Sequence, residues 1–376
     1  LVMLVLIAPD KFKGTLDASE AAKAIARGWL NQRPNDQVDI FPISDGGDGF
    51  GELLGKHLGA ETRSAHTVNA AGRPIKAPWW WVPRLKLAIV ESAKIIGLAQ
   101  LQTGKFHPFD LDTRGLATVL REVEKIRPRQ CLVGIGGSAT NDAGFGMAVG
   151  LGWRFLDGQA RPIRSWTALD TLQAVEPPKE ELRLGRLTVA VDVRNPLLGP
   201  RGATRIYGPQ KGIRPEDFEP TERCIRKLVA VLADLSPQYR KLSLAAGAGA
   251  AGGLGFGFRA FLGGKLEPGF ALFAKFTGLA KHIKQADLVI TGEGAIDNTT
   301  LLMGKGVGQV ARLARRFCRP CLGLAGIVSS PRTSTALFAG LFAIVPALAS
   351  QEEAMAKPRQ WLTRLASQAA REWCPE

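Results

Sequence analysis

Val2-Met3-Leu4-Val5-Leu6-Ile7-Ala8 opens the chain, and Asp17 to Leu30, Val38-Asp39-Ile40-Phe41-Pro42-Ile43 and Phe50 to Leu58 follow it. The fold follows from how these four segments are read. The first run is continuously apolar and breaks at Pro9-Asp10, as a buried strand does. Ala21, Ala22, Ile25, Ala26 and Trp29 then recur at helical spacing. Asp17 is placed as an N-cap, and Glu20 three residues later completes a capping-box pattern. A second strand ends at Ser44-Asp45-Gly46-Gly47-Asp48-Gly49, and a short helix over Phe50 to Leu58 follows. Strand, helix, strand, helix predicts a parallel sheet with covering helices.

Further along, the texture changes and then returns. From Glu61, short alternating runs (Thr62 to Val68, Ala77 to Trp81, Leu87 to Val90) are separated by turns such as Ala71-Gly72-Arg73-Pro74. Helices are predicted over Arg114 to Lys125, Gly144 to Leu151 and Phe218 to Leu232, and strands over Gln130 to Ile135 and Leu187 to Val191. Near the end, strands at Asp287 to Thr291, Cys321 to Ala325 and Leu341 to Val345 alternate with helices at Gly306 to Phe317 and Trp361 to Trp373. The expected architecture is α/β with two domains. Residues 1–65 and 285–376 form a Rossmann-like parallel-sheet domain, and residues 66–284 form an inserted mixed α/β domain. No short repeat is visible.

The bulk numbers narrow the function class. The chain has 376 residues, enough for two domains, with 45% hydrophobic and 22% charged residues, as in an ordinary globular protein. Net charge is +15, from 49 basic and 34 acidic residues, but the basic residues are scattered and Trp79-Trp80-Trp81 has few basic neighbours. A basic solvated surface is therefore expected rather than nucleic-acid binding. Five cysteines are too few for a disulfide scaffold in a chain this long. Cys318-Arg319-Pro320-Cys321 has redox-motif spacing, but a helix precedes it and a strand follows, the reverse of a thioredoxin-like context, so structural cysteines are expected. Four histidines lie far apart and give no zinc-ligand spacing. The apolar start lacks a charged leader and is too short for a membrane span. Met3 is the expected natural start and the cytoplasm the expected compartment.

The candidate chemistry lies in glycine-rich stretches after strands, where open α/β sheets collect ligands. No Walker A pattern, protein-kinase set or GxSxG elbow occurs. Asp45, Gly46 and Gly47 open a helix, where bare amides hold an anion or Asp45 caps a turn. Gly134-Ile135-Gly136-Gly137-Ser138-Ala139-Thr140-Asn141-Asp142 repeats that layout. Gly136, Gly137, Ser138, Asn141 and Asp142 serve there as phosphate donors and ligands, or as a tight turn capped by Asp142. Asp192 ends the run Leu187 to Val191 and is either a general base, a metal ligand or an Asx turn. Glu293 and Asp297 are four residues apart and suit a shared metal, with Lys305 beyond them as a point charge for phosphate. Asp10, Lys11 and Lys13 follow the first strand, where the lysines suit a carboxylate or phosphate.

These segments, taken together and in order, resemble the bacterial type of glycerate kinase nearly end to end. They are Ala8 to Gly14, Asp45 to Gly49, Gly134 to Asp142, Asp192 to Leu197, Ile206 to Gly212, Gly247 to Gly253, and Ile290 to Gly294 with Asp297 and Gly304-Lys305. The resemblance implies two α/β domains with the active cleft between them, ATP and Mg2+ as cofactors, and transfer to a hydroxyl of D-glycerate, generally giving 2-phosphoglycerate. It implies Asp192 as the base and a homodimer as a common assembly. The chain departs from the family pattern at Ala295-Ile296, where an arginine is usual, and at Asn298-Thr299-Thr300, where a glutamine is lost. Asp48 stands for a usual glutamate. These departures motivate two alternatives: a catalytically weak ligand-binding or regulatory member, or a kinase of a related small hydroxy acid.

Overall fold

The structure is a computed structural model and describes residues 2–102, 104–297, 306–329 and 337–373. In chain order the strands are β1 (Leu4–Ile7), β2 (Gln37–Ile40), β3 (Glu61–Val68), β4 (Pro74–Val82), β5 (Leu87–Glu91), β6 (Gln130–Gly134), β7 (Arg154–Asp157), β8 (Leu172–Glu176), β9 (Arg186–Val191), β10 (Lys265–Pro268), β11 (Leu288–Ile296), β12 (Cys321–Val328) and β13 (Gly340–Val345). The helices that matter for the site are α1 (Ala18–Gln32), α2 (Phe50–Leu58), α3 (Arg114–Lys125), α4 (Phe145–Gly150), α5 (Ala203–Tyr207), α6 (Phe218–Leu235), α7 (Ala250–Leu262), α8 (Gly306–Arg316) and α9 (Pro358–Glu372).

Two compact units result, one from residues 1–45 and 270–376, the other from residues 46–269. The first is built on a parallel sheet of order β13-β12-β11-β1-β2. Ile7 on β1 is flanked by Ile290 on β11 and Ile40 on β2. The chain steps from β1 outward to β2, then returns on the other side of β1 through β11, β12 and β13, so the order reverses between β1 and β11. Asp17 caps α1 with the expected reciprocal bonds to Glu20. α1 buries Ile25 and Trp29 in a core with Val5, Ile290, Leu322, Leu362 and Leu365. Burying each such side chain is worth roughly 1.5–3 kcal/mol. Gly28 lets α1 and α9 touch, because a Cβ there would lie 2.2 Å from the Thr363 carbonyl oxygen.

The second unit carries a sheet of order β10-β9-β6-β5-β4-β3, parallel through β10, β9, β6 and β5 and antiparallel at β4 and β3. β7 and β8 form a separate antiparallel pair. The unit's hydrophobic residues include one cluster with Val90, Val133 and Val189 and another with Phe145, Phe155 and Phe256.

The unit junctions fall earlier than the positions near 65 and 285 that the sequence suggests. β3 pairs with β4 from Glu61 to Val68, which ties it to the second sheet. α2 lies against β4, where Gly51 and Gly55 leave room for the Trp80 ring; Cβ atoms there would approach it to 2.4 and 2.9 Å. A second difference concerns Thr291 to Asp297, expected as a loop. β11 instead runs on to Ile296, paired with β12 up to Val328. Glycines permit this pairing: a Cβ at Gly292 would lie 2.2 Å from the Leu324 carbonyl oxygen. The thiols of Cys318 and Cys321 are both free, Cys318 exposed and Cys321 buried. Among the described residues no helix is long and apolar enough to cross a membrane.

Candidate active site

In the first unit, the carboxyl ends of β1, β2 and β11 bring three carboxylates together. Asp10 follows β1 and is buried; its N–H donates to the Gly292 carbonyl oxygen at 2.9 Å, fixing the turn against β11. Asp45 follows β2, and Glu293 lies within β11. Burial, then the Asp45 charge, push the Asp10 carboxyl well above the usual carboxylate range, and Glu293 adds to this. The Lys11 N–H, 2.7 Å from Asp10 Oδ1, and the Lys11 charge oppose the shift. α8 begins at the same place: a Cβ on Gly306 would lie 3.2 Å from Asp10 Oδ2 and 3.8 Å from Asp45 Cβ. The positive end of that helix therefore faces the carboxylates. Lys11 is half-buried and Lys13 exposed.

The spacing of Glu293 and Asp297 predicts a shared ion. With β11 extended through Ile296, their Cα atoms are about 13 Å apart along the strand direction. Glu293 instead keeps company with Asp10 and Asp45. Among the described residues, no group of three or more His, Cys, Asp or Glu side chains is arranged to hold a metal ion. Lys305 lies outside the described residues.

In the second unit, the carboxyl ends of β5, β6 and β9 lie side by side. Asp192 leaves β9 exposed. Its charge, after burial, raises the Tyr207 phenol to about 12. The Tyr207 hydroxyl donates to Asn195 Oδ1 at 2.6 Å, and Asn195 Nδ2 donates to the Arg201 carbonyl oxygen at 2.8 Å.

The two glycine loops pack closely on one another. The Gly136 N–H donates to the Gly46 carbonyl oxygen at 3.3 Å. A Cβ on Gly136 would lie 2.5 Å from Gly47 Cα, and one on Gly137 would lie 1.8 Å from Asp48 Oδ1. Gly46, Gly47, Gly136 and Gly137 thus belong to two loops in close contact, which leaves no room for side chains at Gly136 and Gly137. The N-terminus of α2 already has its anion: the Glu91 carboxylate accepts from the Gly49 and Gly51 N–H groups at 2.8 and 3.0 Å. Burial raises the Glu91 carboxyl, and the Gly49 bond opposes it.

Ser138, Asn141 and Asp142 are buried and bonded to neighbouring loops and helices, while Asn141 Oδ1 is buried without a hydrogen-bond partner among the described residues. Ser138 Oγ donates to the Ala251 carbonyl oxygen at 3.2 Å, and Asn141 Nδ2 to Thr204 Oγ1 at 3.0 Å. Asp142 accepts from Thr113 N and Oγ1 at 2.9 and 2.8 Å, from Gly144 N at 3.1 Å and from Gly146 N at 2.9 Å. Its oxygens hold the starts of α4 and α3, with three of the four bonds on Oδ2 and one on Oδ1.

Four residues here escaped the sequence reading: Glu91, Asn195, Tyr207 and Lys211. Glu91 carries the same signal as Asp192, a carboxylate ending an apolar run. Lys211 sits in the quoted segment Ile206 to Gly212; it is buried, and its ammonium donates to the Thr140 carbonyl oxygen at 2.6 Å.

Carboxylates gathered at the reversal point of a parallel sheet, against a helix N-terminus, mark the ligand-binding end of an α/β enzyme fold. The comparisons with known proteins agree and are more specific. Residues 5–374 match the model of the glycerate kinase family. A glycerate kinase of Halalkalibacterium halodurans is 35% identical over 93% of each chain. That of Bacillus subtilis is 34% identical over 97% of this chain and 96% of its own. A glycerate 2-kinase of Escherichia coli is 35% identical over 86% of this chain and 85% of its own. A crystal structure described as a putative glycerate kinase 2 of Salmonella typhimurium LT2 superposes with a TM-score of 0.79 at 29% identity, covering 99% of this chain and 98% of that one. The chain belongs to the glycerate kinase family and is an ATP-dependent phosphotransferase.

Proposed function

We propose that the protein transfers the γ-phosphoryl group of ATP to a hydroxyl of D-glycerate, giving 2-phosphoglycerate, with Asp192 as the base. The observation that carries this reading is the group of Asp10, Asp45 and Glu293 at the start of α8. Neighbouring carboxylates that raise the pKa of a buried one favour a divalent cation as countercharge. Mg2+ bound with a nucleotide takes one or two carboxylates and fills its other positions with water and phosphate oxygens. Asp10 and Asp45, with Glu293 beside them, fit that need without a complete protein cage. When bound, the ion neutralises charge on the β- and γ-phosphates.

The chain's own residues do the rest. The first turn of α8 favours phosphate through its amides and dipole. Lys11 and Lys13 meet the carboxylate of glycerate or a phosphate. Asp192 takes the proton of the attacking hydroxyl; the new O–P bond forms as the bond to the β–γ bridging oxygen breaks, and ADP leaves.

A coupled assay with ATP, Mg2+ and D-glycerate, with the product identified by NMR, tests the reading. Turnover to 2-phosphoglycerate is expected. Background rates would sink the kinase proposal, and 3-phosphoglycerate would sink the regiochemistry. Ala295, exposed on β11 where the family carries an arginine, favours one second reading, a related hydroxy acid as substrate. A panel of small hydroxy acids compared by kcat/KM separates the two.

A further inference from the structure

The second unit holds a cavity of about 770 Å3, where the chain enters β9 and β10. Sites for small molecules span roughly 300–1,000 Å3. Lys265 on its wall pairs with Thr188, four residues and roughly 13 Å along β9 before Asp192, so the cavity is separate from the candidate active site. Leu151 and Phe261 line it as buried apolar groups. Trp153 stands half-buried against Phe261, with ring centroids 5.1 Å apart, and Tyr239 is half-buried on the short helix Gln238–Leu244. Two guanidinium groups line the same space. Arg121 is exposed on α3, and Arg259 is half-buried in the last turn of α7. Neither makes an ion pair or a side-chain hydrogen bond among the described residues.

A partly desolvated charge without a countercharge is unfavourable. The end of α7 gives Arg259 only the weak field of a helix terminus. The other charged side chains on the wall do not supply an anion inside the cavity. Lys265 is paired with Glu267 at 2.8 Å, and Glu180 and Glu181 are exposed on the connection into β9, where water screens them. A guanidinium fork suits the paired oxygens of a carboxylate, sulfonate or phosphate. We propose that this cavity binds a small aromatic anion, its ring against Trp153, Tyr239 and Phe261 and its acidic group on Arg121 and Arg259. Such a ligand supplies the missing countercharge and covers the half-buried rings at once. The site takes no part in phosphoryl transfer and shows itself by binding.

The probe is 8-anilinonaphthalene-1-sulfonate, and N-phenyl-1-naphthylamine, the same rings without the sulfonate, is its neutral counterpart. Titrations of the full chain, followed by fluorescence and calorimetry, should show a single sulfonate per chain bound about tenfold more tightly than the amine. Arg121→Gln/Arg259→Gln should weaken the sulfonate about tenfold and leave the amine within about twofold. Arg84→Gln/Arg164→Gln removes the same charge from exposed positions outside the cavity and should leave both affinities unchanged. Equal affinity for the two probes would mean an apolar groove without anion recognition. An equal loss in both double variants would mean attraction by net charge alone. Either result overturns the proposal, as does saturation at several probes per chain. Should the cavity variant fail to melt cooperatively, Arg121→Gln alone, at an exposed position, is expected to weaken the sulfonate about threefold, and wild-type affinity there would overturn the proposal too.

Discussion

Lys211 is a lysine buried away from water. Its ammonium is buried with the Thr140 carbonyl oxygen at 2.6 Å as its hydrogen-bond acceptor. Burial lowers its pKa to about 7, and the Asp142 carboxylate opposes that shift. The linkage has a definite sign. The folded state releases the proton near pH 7, whereas the unfolded chain holds it until about 10.4. The unfolded state therefore binds more protons across that window, and stability attributable to Lys211 rises with pH from about 7 to about 10. Relative to Lys211→Met, the wild type should gain in Tm over this range, as measured by thermal melts at several pH values. A constant difference would show that the lysine does not titrate there. At this scale the sequence is ambiguous for a plain reason. Asp142, Asp192 and Glu91 all follow apolar runs or glycine loops, and nothing local says which is buried under four donors and which is exposed. Only the neighbours brought from elsewhere, Thr113 for Asp142 and Gly49 for Glu91, separate cap from candidate base.

Among the elements, the glycine-rich segments work as contact surfaces between backbones. The start of α7 shows this best: Ala251, Gly252 and Gly253 are all left-handed, with φ of 56°, 71° and 87°. A Cβ on Gly252 would lie 1.9 Å from the Thr140 carbonyl oxygen and 2.7 Å from Asn141 Cα. Gly263, at the other end of α7, is also left-handed at φ 64° but has nothing within 4 Å. The pair divides conformational strain from steric clash. Gly263→Ala should cost about 1–2 kcal/mol, and Gly252→Ala about 2–4 kcal/mol, since overpacking adds to the same strain. Denaturant melts compare them, and equal costs would mean that the close approach at Thr140 is absent. Element types are readable where periodicity is strong, as in α1 with its capping box and in α3, expected and found over Arg114–Lys125. They mislead where glycine suggests a turn. β11 continues through Gly292 and Gly294, and α7 begins inside a glycine run, because glycine is also the residue that admits a close partner.

Across the whole molecule, each unit has core residues drawn from its own segments. The cluster of Val5, Trp29, Leu288, Ile290 and Leu365 lies entirely in residues 1–45 and 270–376, while those around Val133 and Phe155 lie in residues 46–269. The continuous segment 46–269, expressed alone, should therefore melt cooperatively by circular dichroism, and a broad non-cooperative trace would show that its core needs the rest of the chain. The linear order of residues was enough for the α/β class, the return of the last third to the fold begun by the first, and the family. Those properties rest on apolar periodicity and ordered motifs, which are written along the chain. Three results came instead from the folded arrangement. It sets where the units divide, it gathers Asp10, Asp45 and Glu293 at the reversal between β1 and β11, and it buries Ser138, Asn141 and Asp142 among neighbouring loops. Proximity across hundreds of residues and the burial of a polar atom depend on sheet order and register, which no local pattern encodes.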